Sequence, residues 1–182
     1  MISEGHGRPR STLMPIQTRR LVLVPCSLQV AKAVLQDRKA ASVLVHAYLP
    51  DGWPAVDLRD YLPLYAEQLV CDPALLGWGI WLMIDQSGPT VIGDVGFKGR
   101  PDVNGTVEIG YSVLPAYRRQ GYAGEAVRAL VDWAFTQDRV SHVVAECETR
   151  NLASIRVLEK LGMRRQGQDS GLIRWRLDKP DV

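Results

Sequence analysis

Val107–Ala126 reads VEIGYSVLPAYRRQGYAGEA. The first half has the look of a strand running into Pro115; the second opens a helical pattern near Gly124. Ala126, Val127, Leu130, Val131, Ala134 and Phe135 then fall on one broad face of a helix over Gly124–Gln137. Between the two lies a short basic loop holding Arg118, Arg119 and Gly121. Backbone N–H groups at a helix start are unpaired donors with partial positive charge, and they suit an anionic oxygen. Gly121 permits positive φ or a close approach to a ligand, and small Ala123 and Gly124 leave space beside it. This is the chemistry of a pyrophosphate cradle fed by a strand. The same residues also suit a plain solvated turn, and neither Gly-Lys-Ser/Thr nor GxGxxG is present to decide the matter.

Upstream, Trp78–Asp85, Thr90–Lys98 and Thr106–Leu114 read as three strands with short connections, an antiparallel meander. Before them come a strand at Leu21–Pro25, a helix over Leu28–Gln36 that Ser27 can cap, and a helix over Ala55–Val70. Pro63 predicts a kink in the last of these, or two short helices. Downstream, a strand at His142–Cys147, a helix over Leu152–Leu161 ended by Gly162, and strands at Met163–Gln168 and Leu172–Leu177 complete the chain. Residues 1–14 lack a hydrophobic period and read as a mobile tail, leaving one α/β domain over 15–182 built on a mixed sheet.

Composition excludes several classes. With 182 residues, 46% hydrophobic and 23% charged, the chain has a core large enough to need neither metal nor disulfide. The longest apolar run, Gly77–Ile84, is far short of the roughly 20 residues that span a bilayer, and residues 1–20 lack a secretory apolar stretch. A cytoplasmic protein without a membrane partner is expected. Cys26, Cys71 and Cys147 have no ligand spacing and read as reduced, small hydrophobic residues, with no metal site. A net charge of +2, much of it in the N-terminal arginines, argues against a nucleic-acid partner.

Taken with TRRLVLVP at the entry, the strand VIGDVGFKG, and N-x-x-S followed by RVLEKLGM, the loop resembles the GNAT superfamily of acetyl-CoA-dependent N-acetyltransferases. The branch it is most similar to is the ribosomal-protein-acetyltransferase (Rim-type) one. These pieces are collinear from about Thr18 to Leu177. The resemblance implies a mixed, mostly antiparallel sheet of about six to seven strands, helices on both faces, and central strands that splay after a bulge. It further implies acetyl-CoA as co-substrate, a primary amine (small molecule or protein N-terminus) as acceptor, and direct transfer in a ternary complex. Homodimers are common in the family, but no patch in the sequence decides that point.

Carried over residue by residue, the main chain of Tyr111, Ser112 and Val113 is implied to pair with the pantetheine arm, the Val113 N–H polarising the thioester. Arg118, Arg119, Gln120, Gly121, Tyr122, Ala123 and Gly124 are implied to hold the pyrophosphate, through loop amides more than guanidinium groups. Glu108 is implied to be the general base, although its position equally suits a cross-sheet arginine partner or solvent. Many members protonate the leaving thiolate with a tyrosine where this chain has Leu158; the Rim-type serine matches Ser154. Asn151 suits a helix cap as well as a cofactor contact. The acceptor is expected opposite the cofactor, near Tyr48, Trp53, Tyr61 and nearby aspartates, residues that equally suit core filling and capping. Lacking the usual tyrosine, the chain also fits an alternative: a non-catalytic acyl-CoA-binding module acting as sensor or interaction protein. A structural protein that no longer binds CoA is a third reading.

Overall fold

A computed structural model describes residues 13–180. The tail expected over residues 1–14 lies outside them except for Leu13 and Met14. The described elements are β1 (Ile16–Gln17), β2 (Leu21–Pro25), α1 (Leu28–Gln36), α2 (Arg38–Val45), α3 (Val56–Cys71), β3 (Ile80–Asp85), β4 (Thr90–Phe97), β5 (Thr106–Val113), α4 (Tyr122–Phe135), β6 (His142–Glu148), α5 (Leu152–Lys160), β7 (Arg164–Asp169) and β8 (Leu172–Asp178). They form one eight-stranded sheet in the order β1-β2-β3-β4-β5-β6-β8-β7, antiparallel except where β5 meets β6. The eighth strand beyond the expected six to seven is β1, two residues long and too short to carry a period.

Each face of the sheet buries its own core. Trp81 and Met83 of β3 join Leu130, Val131 and Leu158 on the face covered by α4 and α5. Ile80, Leu82 and Ile84 join Val30, Leu62 and Leu69 on the face covered by α1–α3. Strict alternation with both faces buried explains why β3 reads as a continuous apolar run.

Two helices differ from expectation. Sequence reading missed α2, because Asp37 both ends α1 and caps α2 through Lys39 N–H and Ala40 N–H, leaving no spacer to mark a second helix. Pro63 does not divide α3: it lies on the exposed side, where the carbonyl that loses its partner meets water. Of the cysteines, Cys26 and Cys147 are buried as expected, whereas Cys71 is exposed at the end of α3. Burial pushes the Cys26 thiol up to about 12, so it is no nucleophile at neutral pH. Among the described residues no helix is long and apolar enough to cross a membrane, and no cluster of metal-ligating side chains occurs.

Candidate active site

β5 and β6 pair only from Thr106↔His142 to Glu108↔Val144 and then separate. On its other edge β5 stays paired with β4 in unbroken register, from Phe97↔Ile109 to Gly93↔Val113. The strands therefore splay without the bulge that was expected on β5. Register also fixes where the main chain points. Lys98 N–H donates to Glu108 O and Leu114 N–H to Ile92 O, so even-numbered residues of β5 bond to β4. Tyr111 and Val113 consequently turn their N–H and C=O groups into the gap. The Val113 carbonyl is taken by Arg118 Nε at 2.8 Å, which leaves its N–H as the free group.

The gap opens into a cleft of about 1310 Å³ between α4 and α5. Of the residues expected around the cofactor, Tyr111, Ser112, Val113, Arg118, Arg119, Gly121, Tyr122, Ala123, Gly124, Asn151 and Ser154 all line it. Gln120 does not; its carbonyl accepts from Arg20 and its side chain turns back to the Ala116 carbonyl. Arg119 (φ 61°) and Gly121 (φ 87°) adopt left-handed conformations that curl the loop into the start of α4. Side chains cap α1, α2 and α5, but none caps α4. Among the described residues no N–H from Arg119 to Gly124 donates to a protein acceptor. Six consecutive donors without a protein acceptor at a helix start suit an anion.

The rest of the cleft favours an anion too. Arg128, Arg156 and Lys160 line it with Arg118 and Arg119, against one acid, Glu125. Sequence reading missed these three, although Gly124–Arg128 and Arg156–Lys160 are i, i+4 pairs that share a helix face. Glu125 contributes no free charge. Its carboxylate accepts from Thr18 Oγ1 (2.7 Å), Arg20 N–H (2.8 Å) and Arg20 Nε (2.8 Å). Arg20 also donates to Gln120 O at 2.9 Å and lies 4.2 Å over the Tyr122 ring, so the chain before β2 latches the cradle. Burial would raise the Glu125 carboxyl, but the Thr18 and Arg20 hydrogen bonds outweigh it and hold the group below its usual range.

Arg20→Ala is expected to lower stability by about 1–3 kcal/mol, the cost of charge-assisted hydrogen bonds, and to raise KM for the ligand of this cleft more than it lowers kcat. Steady-state kinetics and thermal melts check both. A depressed carboxylate stabilises above its unfolded pKa and loses that contribution as pH falls through the folded one. The latch therefore weakens in acid, as pH falls from the ordinary glutamate range through the lowered folded value, and the variant lacks that acid limb.

Asn151 and Ser154 meet both readings of the N-x-x-S stretch. Asn151 Oδ1 accepts from Ser154 N–H at 3.1 Å, capping α5, while both residues line the cleft. The Tyr111 hydroxyl stands 3.5 Å from the Ser154 carbonyl, and burial pushes its pKa up, keeping the phenol protonated. Leu158, which stands where the resemblance leads one to expect a tyrosine, is 1% exposed in the core and does not line the cleft. Glu108 lies on the opposite face of the sheet, half-buried, its carboxylate paired with Lys98, and it does not line the cleft. On that face Trp53 is a core residue at 1% exposure, whereas Tyr48 is exposed.

Residues 20–164 match the acetyltransferase (GNAT) domain family. The chain is a member of the GNAT acetyltransferase family. It is 36% identical over 149 residues to the uncharacterized N-acetyltransferase YjdG of Bacillus subtilis (strain 168), covering 81% of this chain and 88% of that protein. Among solved structures, the fold is similar to the ribosomal-protein-S5-alanine acetyltransferase of Vibrio fischeri. There the TM-score is 0.64 at 17% identity, over 93% of this chain and 98% of that one. A ribosomal L7/L12 alpha-N-protein acetyltransferase in complex with coenzyme A gives a TM-score of 0.64 at 16% identity, over 91% and 98% of the two chains. These neighbours share the fold of this chain. The GNAT chain described here is thus an N-acetyltransferase with its cleft in the family's fold.

Proposed function

We propose that this GNAT enzyme transfers the acetyl group of acetyl-CoA to a primary amine by direct attack in a ternary complex. The observation that carries the reading is the row of unpaired N–H groups from Arg119 to Gly124, set beside a gap in the sheet that exposes the main chain of Tyr111 and Val113. A diphosphate satisfies the first and an extended pantetheine arm the second. The L7/L12 relative, crystallised with coenzyme A, supports the same ligand for this cleft.

The amine must lose a proton before its nitrogen has a lone pair to attack with. Glu108 takes that proton through water on the face opposite the cleft, with Lys98 holding its carboxylate in place. The nitrogen bonds to the acetyl carbon, and the charge that builds on the carbonyl oxygen meets the Val113 N–H. The carbon–sulfur bond then breaks and its electron pair leaves with sulfur. The second amine proton ends on that thiolate, with the Ser154 and Tyr111 hydroxyls as the nearby donors.

A thiol-release assay across an amine panel is expected to show turnover, and Glu108→Gln to lower kcat at least about tenfold. Wild-type rates in that variant would remove Glu108 from the reaction. A non-catalytic module would bind acetyl-CoA yet acetylate no amine in the panel. A protein without the CoA site would show no thermal shift, where a ligand at 100 times its Kd stabilises by about 2.7 kcal/mol.

A further inference from the structure

We propose that Asp94 is the acceptor-recognition residue, its free carboxylate oxygen seating the ammonium of an unbranched primary amine in a small glycine-lined cavity across the sheet from the cofactor cleft. The inference rests on the acetyl-transfer reading above and names the acceptor chemistry that reading leaves open.

Asp94 sits in the middle of β4, where its side chain turns to the same face as Glu108 and away from the cofactor. One oxygen is fully engaged: Oδ2 accepts from Trp53 Nε1 at 3.0 Å and from Ser112 Oγ at 2.7 Å. Among the described residues Oδ1 accepts no hydrogen bond, and no cation forms an ion pair with Asp94. Its neighbour on this face is different, since Glu108 is neutralised by Lys98. Among the described residues Asp94 is therefore a negative charge with no paired cation. A mostly buried carboxylate of that kind is costly unless something cationic completes it. Burial pushes its carboxyl up, opposed by the Ser112 and Trp53 hydrogen bonds.

A cavity of about 120 Å³ is lined by Gly79, Asp94, Gly96, Phe97, Lys98 and Gly110 among others, with the Lys98 ammonium held by Glu108. The glycines make it. Gly96 and Gly110 are register partners on β4 and β5, so a cross-strand pair of side chains is missing. A Cβ at Gly110 would meet nothing within 4 Å, whereas one at Gly96 would run into the Gly79 carbonyl at 2.3 Å. The space is open above β5 and closed above β4. A space of that size, open on one side and closed on the other, suits the head of an unbranched primary amine. Ser112 connects the two sides, lining the cofactor cleft while its hydroxyl holds Asp94. Glu108 lies two residues from Gly110 on the same strand face, within the reach needed to receive the proton of an amine seated there.

Asp94→Asn tests this, because an amide oxygen still accepts from Trp53 and Ser112 while the charge is gone. With n-butylamine and sec-butylamine as probes, wild type is expected to favour the unbranched amine. In Asp94→Asn the amine KM rises tenfold or more, with acetyl-CoA affinity by calorimetry within twofold of wild type and an unchanged or higher Tm. Gly110→Val, filling the cavity without touching the carboxylate, is expected to raise the amine KM similarly and stands in if Asp94→Asn misfolds. An unmoved amine KM in the folded variants, or a loss confined to kcat, overturns the assignment. Failure of wild type to acetylate any amine while binding acetyl-CoA would instead refute the transfer reading itself.

Discussion

Gly124→Glu is expected to abolish acetyl-CoA binding, weakening it at least about 100-fold (some 2.7 kcal/mol) while the protein stays folded. Gly124 is the third residue of α4, and a Cβ there meets nothing within 4 Å because it points into the open cleft. A glutamate at this place in a helix reaches back to the N-terminal N–H groups and complements the helix dipole. It would put a carboxylate among the donors from Arg119 to Gly124 and repel the diphosphate it replaces. Because the new charge satisfies the same donors, Tm should hold or rise. Calorimetry and thermal melts on the same sample separate the two effects. A variant that binds acetyl-CoA within threefold of wild type would mean that the diphosphate lies elsewhere.

The second large effect is on kcat. Val113→Pro removes a single N–H, the one that register turns away from β4 and into the gap. Proline is tolerated in a strand where its missing N–H faces away from the ladder, and the preceding Ser112 is already extended. The loss of one preorganised donor to a developing oxyanion lowers kcat about 100- to 1000-fold. Ground-state binding of acetyl-CoA should change far less, because the Val113 carbonyl is already engaged by Arg118 and the cradle is untouched. Single-turnover rates with saturating acetyl-CoA provide the check. If kcat stays within threefold of wild type in a folded variant, the oxyanion donor is another group.

The three signals that pointed to this site in the sequence were local. A strand ending at Pro115, a basic loop with Gly121 and an amphipathic helix are all written within twenty residues, so the cradle could be read with little tertiary knowledge. Its helix begins at Tyr122, two residues before the expected Gly124, because Gly121 in the left-handed region serves as the N-cap without a capping side chain. What was not legible depends on pairing between distant segments. Arg20 and Glu125 are 105 positions apart, and nothing in TRRLVLVP says that its arginine latches a helix start. Asp94 was hidden among apolar neighbours in TVIGDVGF, where only its charge on a strand face otherwise lined by glycine marks it. Glu108 illustrates the opposite case. Its place beside the splay was read correctly, yet which face it occupies and its pairing with Lys98 follow from the sheet.

The most direct measurement is a crystal structure of the protein grown with acetyl-CoA. The diphosphate oxygens should lie about 2.7–3.2 Å from main-chain nitrogens between Arg119 and Gly124, with the thioester oxygen facing the Val113 nitrogen. A diphosphate held by side chains elsewhere, with those nitrogens bonded only to water, would contradict the assignment.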